Sequence, residues 1–217
     1  VKERPILFSG EMVRAILDGR KTQTRRVMKS QPSPNSHDMM MWRKGHQWME
    51  HGSPLQKSLC PYGQVGDRLW VREAWRVEGK HTDSYSSANI GANRVHFGRI
   101  DYEASIIWDK SIYGKLRPGI FMSRWASRIT LEITGVRVER LQEIALRDIV
   151  SEGIVLDKKD FPLWPKVEVM GDALIGHYTP FARQAMQNVW DSINARRGFG
   201  WDANPLVWVI EFKAVQP

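Results

Sequence analysis

Cysteine is nearly absent from this chain. Cys60 is the only one in 217 residues, which excludes an internal disulfide framework and is compatible with a reducing compartment. Long apolar runs are missing too: no stretch approaches the eighteen residues of a membrane-spanning helix. The opening residues Val1-Lys2-Glu3-Arg4-Pro5 carry charge with no apolar segment behind it, so no secretory signal is read and a cytoplasmic location is expected. No phosphate-loop glycine pattern, dinucleotide fingerprint or nucleophile elbow occurs. His37, His46, His51 and Cys60 fall in one segment, but their spacings match no tight pair of zinc ligands. No metal and no cofactor is expected.

What the chain does have is apolar residues, tryptophan and positive charge. Hydrophobic residues make up 42% of it, enough for a packed interior and against disorder. Ten tryptophans are many for this length. Most are expected in the core, with one or two free to stack on bases. The formal net charge is +8, and its placement says more than its size. Lys2, Arg4, Arg14, Arg20, Lys21, Arg25, Arg26 and Lys29 face only three acids, Glu3, Glu11 and Asp18, in the first thirty residues. Such a cluster suits a polyanion; a solvated basic face is the plainer alternative.

Ile6-Leu7-Phe8 reads as a short strand. Ser9 then suits an N-cap, Met12, Val13, Ile16 and Leu17 share one helical face, and Gly19 suits a left-handed stop. The basic run Arg20 to Val27 therefore follows on a turn leading into extended chain. Residues 30–62 are punctuated by proline, glycine and serine and read as a loop-rich insertion; 78–115 and 156–178 read likewise. Between them, Gly66-Asp67 marks a turn and Arg68 to Glu73 a strand. From Arg128 to Glu139 apolar and polar residues alternate, with a change of phase at Gly135 where a bulge or bend is expected. Leu141, Ile144 and Ile149 suggest a short helix closing at Glu152-Gly153. Thr179-Pro180 reads as the start of a strong helix, and Leu206 to Phe212 as a central strand. This order suits a single α+β domain, a small mixed β-barrel with packed helices and loop-rich insertions.

Four pieces, in order, resemble the ASCH family: Met12 to Arg26 with Gly19-Arg20-Lys21-Thr22-Gln23-Thr24-Arg25, then Gly66 to Glu73, Ile129 to Gly153, and Val209-Ile210-Glu211-Phe212-Lys213. Arg72-Glu73-Ala74-Trp75 is similar to an element of the longer members encoded by phages and prophages. The resemblance implies a β-barrel related to the PUA RNA-binding domain, with RNA, single-stranded nucleic acid or a modified nucleoside as partner. Small bacterial members are amidohydrolases that deacylate N4-acetylcytidine with a Lys, a Thr and a Glu. Carried across, these fall on Lys21, Thr24 and Glu152, with Glu73 as second-choice carboxylate. Arg20, Arg25, Arg26, Arg72 and Trp75 are the residues expected against nucleic acid.

Amide hydrolysis needs a nucleophile, a base and an oxyanion stabiliser. Thr24 offers a hydroxyl, and Lys21 can take its proton if burial or neighbouring cations lower its basicity. Positions three apart on a strand face opposite sides, so a local turn is expected to bring 21 and 24 together. Glu152 then serves hydrolytic water or the leaving amine. A binding module without turnover and a ribonuclease using the same cleft are the alternatives.

Overall fold

The computed structural model describes residues 1–29, 31, 42–44, 47–49, 60–79, 83–92, 98–105, 112–154 and 172–215. Among the described residues the α-helices and β-strands follow in chain order: β1 (Glu3–Leu7), α1 (Gly10–Leu17), β2 (Gln23–Val27), β3 (Trp42–Lys44), β4 (Gln47–Met49), β5 (Arg68–Arg72), β6 (Trp75–Val77), α2 (Ser87–Ala92), β7 (Ile100–Tyr102), β8 (Thr130–Arg140), α3 (Leu146–Ser151), α4 (Asp172–Asn194) and β9 (Leu206–Val215). Among the described residues, no helix is long and apolar enough to cross a membrane.

Five strands form one mixed sheet in the order β1-β5-β8-β9-β2. β1 runs parallel to β5, while β5 with β8 and β2 with β9 are antiparallel. The class is α+β as expected, but the described strands do not close into a barrel. A barrel needs its outer strands to pair with each other, and here β1 and β2 each ladder on one side only. β3 with β4, inside the stretch 30–62, and β6 with β7 form separate two-stranded antiparallel sheets; β7 lies within the stretch 78–115 and β6 just before it. His37, His46 and His51 lie outside the described residues.

The chain divides into two compact units, one of Val1–Gly19, Pro61–Thr134 and Phe212–Pro217, the other of Arg20–Cys60 and Gly135–Glu211. In the first, Ser9 caps α1 by accepting from the Met12 amide at 3.4 Å. Gly19 ends it at φ 74°, a left-handed conformation that suits glycine. The core of this unit holds Trp75, Val77, Ile90, Met122 and Ala126, with Trp125 set edge-on to Trp75 at 5.9 Å between ring centroids. Trp75 is 0% exposed, so the expectation that it meets nucleic acid is corrected: its ring has no free face for a base.

The second unit packs α3 and α4 on β9. Leu141, Ile144, Ile149, Ala182, Met186, Trp190, Trp201, Val207 and Val209 are its buried cluster. Each fully buried aliphatic side chain of this kind contributes about 1.5–3 kcal/mol. α4 starts earlier than the sequence suggests, at Asp172, with Pro180 inside it. A proline fixes the same φ at a helix start as in its interior, where it costs one hydrogen bond, so the residue alone does not mark the boundary. Along β8 the buried positions are Leu131 and Ile133, then Val138: the inward face changes parity across Gly135, as the phase change predicts.

If Trp75 is a core residue, Trp75→Ala lowers unfolding free energy by about 3–5 kcal/mol in urea titrations. A change below about 1 kcal/mol would contradict its placement.

Candidate functional site

Lys21 sits just after the α1 turn, where its backbone forms an isolated antiparallel bridge with Glu152. The Thr22 amide donates to the Ser151 carbonyl at 2.9 Å, and the Arg20 guanidinium to the Gly153 carbonyl at 3.3 Å. Glu152 caps the end of α3, its amide bonded to the Asp148 carbonyl, and Gly153 turns the chain away at φ 83°. Two segments 131 residues apart in sequence are thus stitched together by backbone hydrogen bonds and by the Arg20 guanidinium.

The side chains then meet. Lys21 Nζ donates to Glu152 Oε2 at 2.7 Å, to the Glu152 carbonyl at 2.8 Å and to the Gln23 carbonyl at 2.8 Å. The lysine side chain is 0% exposed and that of Glu152 8%. Burial is the main influence on the Lys21 amine and holds it below the usual lysine range; the Glu152 carboxylate opposes this, and Arg26 and Arg25 add to it. A buried amine of lowered basicity beside a carboxylate is suited to moving protons.

The expected turn from Lys21 to Thr24 is not present, since residues 23–27 are regular strand. Lys21 Nζ rests on the carbonyl of the Gln23–Thr24 peptide, on the edge strand of the sheet, directly beside the residue that carries the hydroxyl. Thr24 is itself buried and, by strand alternation, leaves β2 on the face opposite Gln23 and Arg25.

Arg25 is not a free cation for phosphate. It is 5% exposed and donates Nε to Glu139 Oε1 at 3.0 Å, Nη2 to Asp148 Oδ2 at 3.1 Å and Nη1 to Glu152 Oε1 at 3.2 Å, with a further contact from Nη2 to Glu139. Arg137 grips the same acids from β8, donating Nε to Glu139 Oε2 at 3.0 Å and Nη2 to Asp148 Oδ2 at 2.8 Å, and also pairs with Glu211. Three carboxylates around one guanidinium compete with any phosphate, so the expected nucleic-acid role of Arg25 is corrected.

The remaining candidates divide by unit. Arg20 is exposed and Arg26 half-buried in the unit of Lys21. In the other unit, Arg72 is half-buried, donates to the Ile120 carbonyl at 3.3 Å and lies 4.7 Å over the Trp70 ring. Glu73 is 1% exposed and accepts from Arg128 Nε at 2.9 Å and Nη2 at 3.0 Å, while the same guanidinium stacks 4.1 Å from the Tyr102 ring. Burial pushes the Glu73 carboxyl up despite this pair. Its partner is Arg128 rather than Arg72, and the carboxylate that meets Lys21 is Glu152. The residues that sequence reasoning missed are Arg137, Glu139 and Asp148. The signal for the first two was the polar face of β8, where Arg137 and Glu139 alternate with Val136 and Val138.

The lowered basicity of Lys21 has a thermodynamic consequence. Between its folded value and the ordinary 10.5, the folded chain holds fewer protons than the unfolded one, so stability rises with pH across that interval. Lys21→Met removes this contribution, and urea titrations at stepped alkaline pH are expected to show a shallower rise; an identical slope in both proteins would contradict it. In comparisons with known proteins, no family model matches the chain, and no curated protein or solved structure shows significant similarity to it.

Proposed function

We propose that this protein hydrolyses the exocyclic acyl amide of an N4-acylated cytidine, as a nucleoside or within RNA, and that it is a PUA-like protein of ASCH type. One observation carries this reading. Lys21 and Glu152, which the resemblance names as a catalytic pair, stand 131 residues apart and meet at 2.7 Å in a buried setting.

The chemistry follows from the groups present. The neutral Lys21 amine takes the proton of the Thr24 hydroxyl as its oxygen attacks the acyl carbon. The tetrahedral intermediate breaks its carbon–nitrogen bond as Lys21 passes the proton it took from Thr24 to the departing N4, releasing cytidine and leaving an acyl ester on Thr24. Glu152 then draws a proton from water, which attacks the ester and frees the carboxylic acid and the hydroxyl. Burial assists by lowering the basicity of the Lys21 amine, which favours the neutral form that acts as base. The binding-only alternative draws less support, because Arg25 is enclosed by acids and Trp75 is core.

Purified protein incubated with N4-acetylcytidine and followed by mass spectrometry is expected to release cytidine and acetate. Lys21→Met, Thr24→Ala and Glu152→Gln each lower kcat/KM by about 100-fold or more, the scale of losing a general base or nucleophile. Turnover that survives Lys21→Met, or none in the native protein across a panel of acylated cytidines, would sink the proposal.

A further inference from the structure

Glu152 has two carboxylate oxygens, and a different cation takes each. Oε2 accepts from Lys21 at 2.7 Å and Oε1 from Arg25 at 3.2 Å. Arg25 is in turn held from the other side. Glu139 and Asp148 occupy its Nε and Nη2, and Arg137 bonds both of those acids from behind. A guanidinium is planar and presents its donors as a rigid fork, so three carboxylates on three of its nitrogens define its place and tilt. With Arg25 so fixed, the Glu152 carboxylate has one oxygen tied down and the other turned to Lys21.

We propose that Arg25 is a positioning residue of the site: it orients Glu152 toward Lys21 and, by occupying Oε1, limits the negative charge that the lysine feels. This rests on Lys21 and Glu152 being the reactive pair. It also explains why an arginine this deeply enclosed stands one residue after Thr24. The charged groups facing Lys21 are Glu152 at the end of α3 and Arg25 and Arg26 on β2; behind them stand Asp148 on α3 and Glu139 and Arg137 on β8. Without Arg25, Glu152 turns its whole charge on Lys21 while a neighbouring cation disappears. Both changes strengthen the hold of the lysine on its proton.

The test follows the Lys21 side chain by lysine-selective NMR over a pH series in the full chain. It uses the native protein, Arg25→Met, and Arg25→Met combined with Glu139→Gln. The double variant removes the carboxylate that the first leaves without its partner, and so protects the fold. In either folded variant the proton affinity of Lys21 is expected to rise by about tenfold. The rising limb of hydrolysis against pH moves the same way: kcat falls about tenfold at neutral pH and recovers in alkali, with KM little changed. A Lys21 titration that does not move, with activity lost equally at every pH, would overturn the role given to Arg25. Should no acylated cytidine be hydrolysed by the native protein, the functional reading fails, and the Lys21 titration alone still decides the inference about Arg25.

Discussion

Glu152 is shared between two buried cations, and the arrangement of the second unit around the site turns on that sharing. Lys21 reaches it from the chain following α1, Arg25 from β2, and the backbone bridge between residues 21 and 152 holds the two segments in register. Taking an amine and a guanidinium out of water costs several kcal/mol each unless partners with good geometry replace it. Here Lys21 has one carboxylate oxygen and two carbonyls, and Arg25 has three carboxylates. Removing any one member leaves a charge stranded in the interior, which makes the network a single device rather than a set of independent pairs.

Neighbouring features of the unit serve the same arrangement. Gly153, in the left-handed region, lets the chain leave α3 while Glu152 still points at Lys21. Gly135 leaves room on β8 for Glu211: a β-carbon at that position would stand 2.5 Å from Glu211 Oε2, and Glu211 is one of the acids that secures Arg137. The apolar cluster under α3, with Ile149 and Leu141 fully buried, fixes the helix whose first turn carries Asp148 and whose end carries Glu152. Packing thus sets the position of the acids, and the acids set the position of the cations.

Much of this was legible in the sequence wherever the determining physics is local. Ser9, the apolar face of α1 and Gly19 describe a helix by short-range rules, and the structure has that helix with that cap and that stop. The alternation and phase change of β8 were equally readable, because a strand writes its two faces into successive residues. The pairing of residue 21 with 152 came through resemblance and not through periodicity. What stayed hidden is long-range. The parallel pairing of β1 with β5 leaves no mark on either strand alone. The fate of Arg25 was misjudged because an arginine in a basic run looks solvated until the acids that enclose it, more than a hundred residues later, are brought to it by the fold. Trp75 was misjudged for the same reason, its burial being decided by Trp125 and Met122.

In the proposed mechanism Lys21 and Glu152 form one catalytic unit, and a double-mutant cycle on kcat/KM for N4-acetylcytidine tests that most directly. If the two act as a unit, Lys21→Met with Glu152→Gln together lose no more than the worse single substitution. Losses that multiply, as they do for residues working independently, would contradict it.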